Sequence, residues 1–139
     1  MEKSFKAVFP IQLRFRDTDA MGHVNNAVYL SYLELARLLY WAELFEVKSH
    51  LDFPFILARV QIDYRSPAMM SDDLAVGIRC SEMRGASFDF EYAIWDKKSS
   101  RTIVTAKTTQ VTYDYQKAKP LRLPDVYREK IFAFEGRSQ

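Results

Sequence analysis

Ala27-Val-Tyr-Leu-Ser-Tyr-Leu-Glu-Leu-Ala-Arg-Leu-Leu-Tyr-Trp-Ala-Glu-Leu-Phe-Glu46 is the stretch on which the fold turns. At about 100° per residue its apolar side chains crowd almost all round, and only Ser31, Glu34 and Arg37 share a narrow polar strip. The pattern predicts a long, mostly buried helix over 27–46, around which other elements must wrap. On its N-terminal side Phe9, Ile11, Leu13 and Phe15 alternate with Pro10, Gln12, Arg14 and Arg16, the period of a half-buried strand over 9–16. Between strand and helix, residues 17–26 have no apolar period. They carry Gly22 with Asp17, Asp19, Asn25 and Asn26, the residue types of turns and helix caps.

On the C-terminal side the period changes to two. After the Asp52-Phe-Pro-Phe55 break, Ala58, Val60, Ile62 and Tyr64 alternate with Arg59, Gln61, Asp63 and Arg65, and the run stops at Ser66-Pro67. Leu74, Val76, Ile78 and Cys80 form the next alternating set. Arg84-Gly-Ala86 then offers a turn into Phe88, Phe90, Tyr92 and Ile94. Lys97-Lys-Ser-Ser100 closes another turn into a run from Thr102 to Tyr113 that is apolar or β-branched on both faces, as in an interior strand. Pro124-Asp125 opens a short helix through Phe134. The order is α+β: an antiparallel five-stranded sheet wrapped on a long central helix, with one domain over 1–139. A single sheet on a single helix leaves an edge and a face open, so a homodimer or homotetramer is expected.

Composition narrows the function classes. Twenty Lys and Arg against eighteen Asp and Glu leave a net charge of +2, which argues against a dedicated nucleic-acid binder. The one cysteine, Cys80, excludes an internal disulfide and a Cys-x-x-Cys metal site, and suits the cytoplasm. No window has the apolar length of a membrane span, and Met1-Glu-Lys-Ser-Phe-Lys6 lacks a secretory apolar stretch.

Polar residues gather at one place. Arg16, Asp17, Asp19, His23, Asn25 and Asn26 lie between a strand end and the start of the helix. There, unpaired N–H groups and the positive end of the helix dipole stabilise an oxyanion, and a carboxylate opposite them attacks a carbonyl or activates water. The same residue types also serve as plain caps and turns, and spacing leaves both readings open.

The stretch from Arg16 to Arg37, with His23-Val-Asn-Asn26 inside it, resembles the signature of hot-dog-fold thioesterases of the 4-hydroxybenzoyl-CoA thioesterase class. It is most similar to the branch of bacterial long-chain acyl-CoA thioesterases with a His-Val-Asn-Asn motif. Ile62-Asp-Tyr-Arg-Ser-Pro-Ala68 and Ser71-Asp-Asp-Leu74 are similar to that family's second strand and following turn, with Ser71 where members often carry Gly. The resemblance implies hydrolysis of an acyl-CoA thioester with no metal and no dissociable cofactor, coenzyme A being part of the substrate. It makes Asp19 the catalytic carboxylate and draws the carbonyl-polarising amide from near Asn26. His23 is left to orient Asp19, touch the thioester or brace the loop, and Asn25 to position water or cap the helix. Asp17 is read as structural, paired with Arg14, Arg16 or Arg37. Glu34 is read as a partner of Arg37 or a second carboxylate, and His50 as solvated.

Among aromatic residues near the helix, Tyr29, Tyr32 and Tyr40 are candidates for the acyl pocket. Arg59, Arg65, Arg84, Lys97 and Lys98 are candidates for the coenzyme A phosphates. Competing readings on the same scaffold are a hydratase or dehydratase of acyl thioesters and a noncatalytic acyl-CoA binding protein.

Overall fold

The computed structural model describes residues 5–136; 1–4, which open the N-terminal stretch read above, and 137–139 lie outside them. Strand β1 spans Ala7–Pro10, helix α1 Val28–Leu44, β2 Phe55–Tyr64, β3 Leu74–Met83, β4 Ser87–Asp96, β5 Thr102–Asp114, β6 Lys119–Pro120 and helix α2 Asp125–Glu135. The sheet is antiparallel with order β1-β3-β4-β5-β2, and the two-residue β6 pairs with β5. It curls around α1, which is the hot-dog fold.

The 17-residue helix α1 turns Tyr29, Tyr32, Leu33, Ala36, Tyr40, Trp41 and Leu44 into the sheet. Trp41 stands at the centre, with its ring against Phe45, Phe55, Phe88 and Tyr127. The expected polar strip is corrected at one position. Ser31 and Glu34 are exposed, but Arg37 is 6% exposed and donates from Nη1 to the Tyr92 hydroxyl at 3.2 Å. Leu30 and Leu35 instead face solvent, so burial is one-sided rather than all round.

The first strand is shorter than its alternation predicts. Alternation holds inward through Ile11 and Leu13, but β1 pairs only from Ala7 to Pro10, and the ladder ends one bond later, at Ile11 N–H to Leu74 O. A 3-10 turn over Phe15–Asp17 follows, because the Asp17 carboxylate takes the Arg14 N–H that a strand would have offered to a neighbour. Phe15 is rotated out to 83% exposure.

Three register shifts among the described residues reset the sheet, one of them between β4 and β5, where Ile103 is the extra residue opposite Ile94 and Trp95. Leu57 faces Gln110 and Arg59 faces Thr109, so Ala58 is the extra residue. Phe55 and Leu57 therefore share the helix-facing side with Val60, Ile62 and Tyr64, although their numbers differ in parity. A second bulge between Cys80 and Glu82 does the same in β3. On the outer face Gly77 lets the Phe5 ring lie against the backbone, where an added Cβ would approach ring carbons to 2.5 Å. Phe5 in turn stacks on Trp95. Helix α2 docks through Glu135, whose Oε2 accepts from the Tyr40 hydroxyl at 2.6 Å and the Cys80 N–H at 2.8 Å. β3 has lost β1 as a partner at that point, and α2 covers the gap.

Candidate active site

The loop before α1 is built from its own short residues. Gly22, at φ +80°, sits where a side chain would be strained, and its N–H donates to the Asp19 carbonyl at 3.0 Å. The Asp19 N–H returns to the His23 carbonyl at 2.7 Å. Asp19 Oδ1 accepts from the N–H groups of Met21 at 2.8 Å and His23 at 3.2 Å. Two backbone donors thus fix one carboxylate oxygen, and Oδ2 has no hydrogen bond among the described residues. Val24, 3% exposed, anchors the loop, and its N–H donates to Ala68 O at 2.8 Å.

Asp19 opens onto a cavity of about 300 Å³ that it shares with His23, Asn26, Tyr29 and Arg65. The opposite wall is Tyr64, Ser66 and Pro67. Asn26 brings the first turn before α1 to this cavity. Its N–H makes no hydrogen bond among the described residues, while its carbonyl accepts from the Tyr64 hydroxyl at 3.1 Å. The peptide carrying the Asn26 N–H is polarised further because the Asn25 carbonyl accepts from Val28 N–H at 2.9 Å. Asp19 and Asn26, a carboxylate and a residue whose amide has no partner among the described residues, therefore border one space, a pair that suits acyl transfer.

Tyr29 is almost wholly buried, with its hydroxyl accepting from Ala68 N–H at 3.3 Å and its ring packed on Tyr32 and Tyr64. Burial pushes its hydroxyl above the usual phenol range. Tyr32 does not reach the cavity: it donates to Asp17 Oδ2 at 2.8 Å, and burial and that carboxylate raise its pKa strongly. The Asp17 carboxylate, expected to pair with a guanidinium, instead accepts from the Tyr32 hydroxyl and the Arg14 N–H. Asn25 Oδ1 accepts from Ala27 N–H at 3.0 Å, an Asx turn one residue ahead of the helix and not a cap on it, and its side chain is outside the cavity lining.

Of the predicted basic residues, the structure brings only Arg65 to the cavity. Arg59 stands on the outer sheet face opposite Thr109, because the bulge at Ala58 sets it there. Arg84 lies at the β3–β4 turn, bound to Asp89 through both terminal nitrogens and paired with Glu82. Lys97 pairs with Asp73 at 3.6 Å. Lys98 Nζ donates to Ser71 O, which places it beside the loop that follows the cavity wall. The periodicity reading missed Tyr64, Ser66 and Pro67, and behind them Arg101. Arg101 donates to Ser66 Oγ, Pro67 O and Asp72 Oδ2 and so staples that wall. Their signal lies in residues 62–68, whose pattern announces only a strand and its stop. A wider open groove of about 700 Å³ crosses the outer sheet face by Phe5, Asp63, Arg79, Glu91 and Lys107; it holds none of the helix-start residues.

Residues 13–131 match the family model described as the thioesterase-like superfamily. The chain belongs to the thioesterase-like superfamily. This thioesterase-like chain is 31% identical over 123 residues to the long-chain acyl-CoA thioesterase FadM of Escherichia coli K12, covering 87% of this chain and 93% of that one. It is 33% identical over 120 residues to the acyl-CoA thioesterase YbgC of Haemophilus influenzae, covering 84% and 87%. A crystal structure of a thioesterase from Thermus thermophilus, complexed with coenzyme A and Zn, superposes with a TM-score of 0.88 at 32% identity over 97% of this chain and 98% of that one. By family the chain is a thioester hydrolase.

Proposed function

We propose that the chain hydrolyses acyl-CoA thioesters with Asp19 as the catalytic carboxylate, in the manner of the 4-hydroxybenzoyl-CoA thioesterase class and its His-Val-Asn-Asn branch. The observation that carries the reading is Asp19 itself. One of its oxygens is tied to the Met21 and His23 amides, the other has no hydrogen bond among the described residues, and the residue lines a cavity at a helix start, in a chain of the thioesterase-like family. Coenzyme A as the leaving group is supported by the Thermus relative, solved with coenzyme A, and by the Escherichia and Haemophilus relatives, named acyl-CoA thioesterases.

The thioester carbonyl oxygen is set against the Asn26 N–H, where negative charge develops as the carbon becomes tetrahedral. Asp19 Oδ2 either takes a proton from water as the water oxygen bonds to that carbon, or bonds to it directly and is released by water in a second step. On either route the C–S bond breaks as the tetrahedral centre collapses, and the thiolate leaves with the electron pair and takes up the proton that Asp19 removed from water or one from solvent; on the direct route water then cleaves the acyl–Asp19 anhydride, and the acid is released. A thiolate is a good leaving group, so the step needs neither metal nor dissociable cofactor. His23 borders the cavity and contacts the thioester end, and Arg65 meets a phosphate of coenzyme A.

The working unit proposed is a homodimer or homotetramer in the cytoplasm, where the buried thiol of Cys80 stays reduced. β2 has β5 as its one ladder partner among the described strands and carries exposed Ile56 and Leu57, so a second copy pairing along it removes an open edge beside the site.

The test is release of free thiol from acyl-CoAs of graded length, with acyl carrier protein thioesters and enoyl-CoAs in parallel. Thiol release supports the reading. Loss of enoyl absorbance without thiol points to hydration, and tight binding with no turnover of any thioester points to a carrier; either overturns it.

A further inference from the structure

We infer that Tyr64 is a positioning residue for the hydrolysis proposed above: its hydroxyl fixes the turn that presents the Asn26 N–H. The inference rests on that hydrolytic reading and deepens it. Tyr64 is the last residue of β2, on the helix-facing side opposite Val104, and 46% exposed. Its hydroxyl crosses 38 residues of sequence to donate to the Asn26 carbonyl at 3.1 Å.

The turn before α1 has little else to hold it from outside. The Ala27 N–H goes to the side chain of Asn25, and the Val28 N–H goes to the carbonyl of Asn25, both within the turn. The Asn25 N–H to the Asp17 carbonyl, at 2.8 Å, reaches back only into the preceding loop. Among the described residues, Tyr64 supplies the one side-chain hydrogen bond that ties this turn to the sheet. The tie is firm at the sheet end. The backbone after Tyr64 is pinned by the Arg65 and Ser66 N–H groups on the Ile103 carbonyl, and the ring packs 5.7 Å from that of Tyr29.

An oxyanion donor acts only if it is aimed before the charge develops, and a displacement of an ångström costs orders of magnitude in rate. With its carbonyl bound to Tyr64, the Asn26–Ala27 peptide has one orientation. Without that bond it turns about the Asn26 Cα, and the adjoining Asn25–Asn26 peptide, which carries the Asn26 N–H, loses its tie to the sheet. The ring of Tyr64 walls the cavity and its hydroxyl holds the turn, so loss of the hydroxyl alone falls on the chemical step.

Tyr64→Phe removes the hydroxyl and keeps the ring. The expected result is a fall in kcat of about tenfold, with KM for the acyl-CoA within about twofold and an unchanged melting temperature. In an amide spectrum of the intact protein, the Asn26, Ala27 and Val28 signals shift while those of β3 and β4 stay in place. Tyr64→Trp, which restores a donor in a larger ring, is compared for partial recovery. A kcat within twofold of wild type in Tyr64→Phe overturns the inference, and so does an equal fall in kcat and melting temperature, which marks a merely structural tyrosine. Wild-type protein that releases no thiol overturns the hydrolytic reading and this inference together. Active wild type with an indifferent Tyr64→Phe overturns the inference alone.

Discussion

Arg37 shows how a single side chain departs from its helical strip. Its guanidinium lies in the core and gives one proton to the Tyr92 hydroxyl. Tyr92 donates to Thr108 Oγ1 at 2.5 Å, Thr108 to Gln110 Oε1, and Gln110 Nε2 to the Phe88 carbonyl at 3.0 Å. The relay is directional, and every group in it is buried. Tyr92→Phe removes the acceptor for Arg37 and the donor for Thr108 together, so a loss of about 2 to 4 kcal/mol is expected. Urea unfolding checks it; a loss under about 0.5 kcal/mol would mean the relay contributes nothing. The same contrast separates what was legible at the site from what was not. Asp19, His23 and Asn26 are near neighbours in the chain and polar, so they stand out in the sequence, and the cavity brings them together. Tyr64 and Arg101 look like ordinary strand and turn residues, because their partners lie far away in the chain and no local period records such contacts.

At the scale of elements, strands are legible where one face is buried. β3, β4 and β5 fall within a few residues of their alternating runs. Periodicity fails where a residue is inserted or a cap competes. The bulge at Ala58 hides the start of β2 at Phe55, and the Asp17 cap ends β1 early. The sequence pattern predicts α2 from Pro124 to Phe134 and the helix spans Asp125–Glu135, but its docking is invisible there, since Glu135 reads as one more surface acid. Its carboxylate satisfies two groups at once, the Tyr40 hydroxyl and the Cys80 N–H. Glu135→Ala therefore leaves two partners unmet and is expected to cost about 2 to 4 kcal/mol, whereas Glu135→Gln, which keeps an acceptor, recovers most of it. Thermal unfolding of both variants decides. Negligible losses in both would show that α2 is held by its apolar contacts at Phe134 and Ile131 alone.

For the whole molecule, pH sets two limits. Asp96 is held at about 2 by hydrogen bonds from the Asp73 N–H, the Ser99 hydroxyl and the Lys98 and Ser99 amides at the β4–β5 turn. A carboxylate lowered from an unfolded value of 3.8 stabilises the fold above about pH 4, and that contribution is lost as pH falls toward about 2. Tyr29, Tyr32, Tyr40 and Tyr92 are all raised from 10.0, chiefly by burial. Their contribution is complete below about pH 10 and is lost as the solution becomes more alkaline, because only the unfolded chain ionises them readily. The urea midpoint is thus expected to fall on both sides of a plateau, with Asp96→Asn flattening the acid limb. An acid limb unchanged in Asp96→Asn would remove that residue from the account. The molecule as a whole is a curled sheet that holds one helix start open at the end of β2, and the proposed chemistry depends on one carboxylate there. The most direct measurement is thiol release from an acyl-CoA by Asp19→Asn, which keeps the Oδ1 hydrogen bonds to Met21 and His23 while removing the charge. Turnover is expected to fall by at least about a hundredfold with an unchanged melting temperature; turnover within a few-fold of wild type would contradict the account.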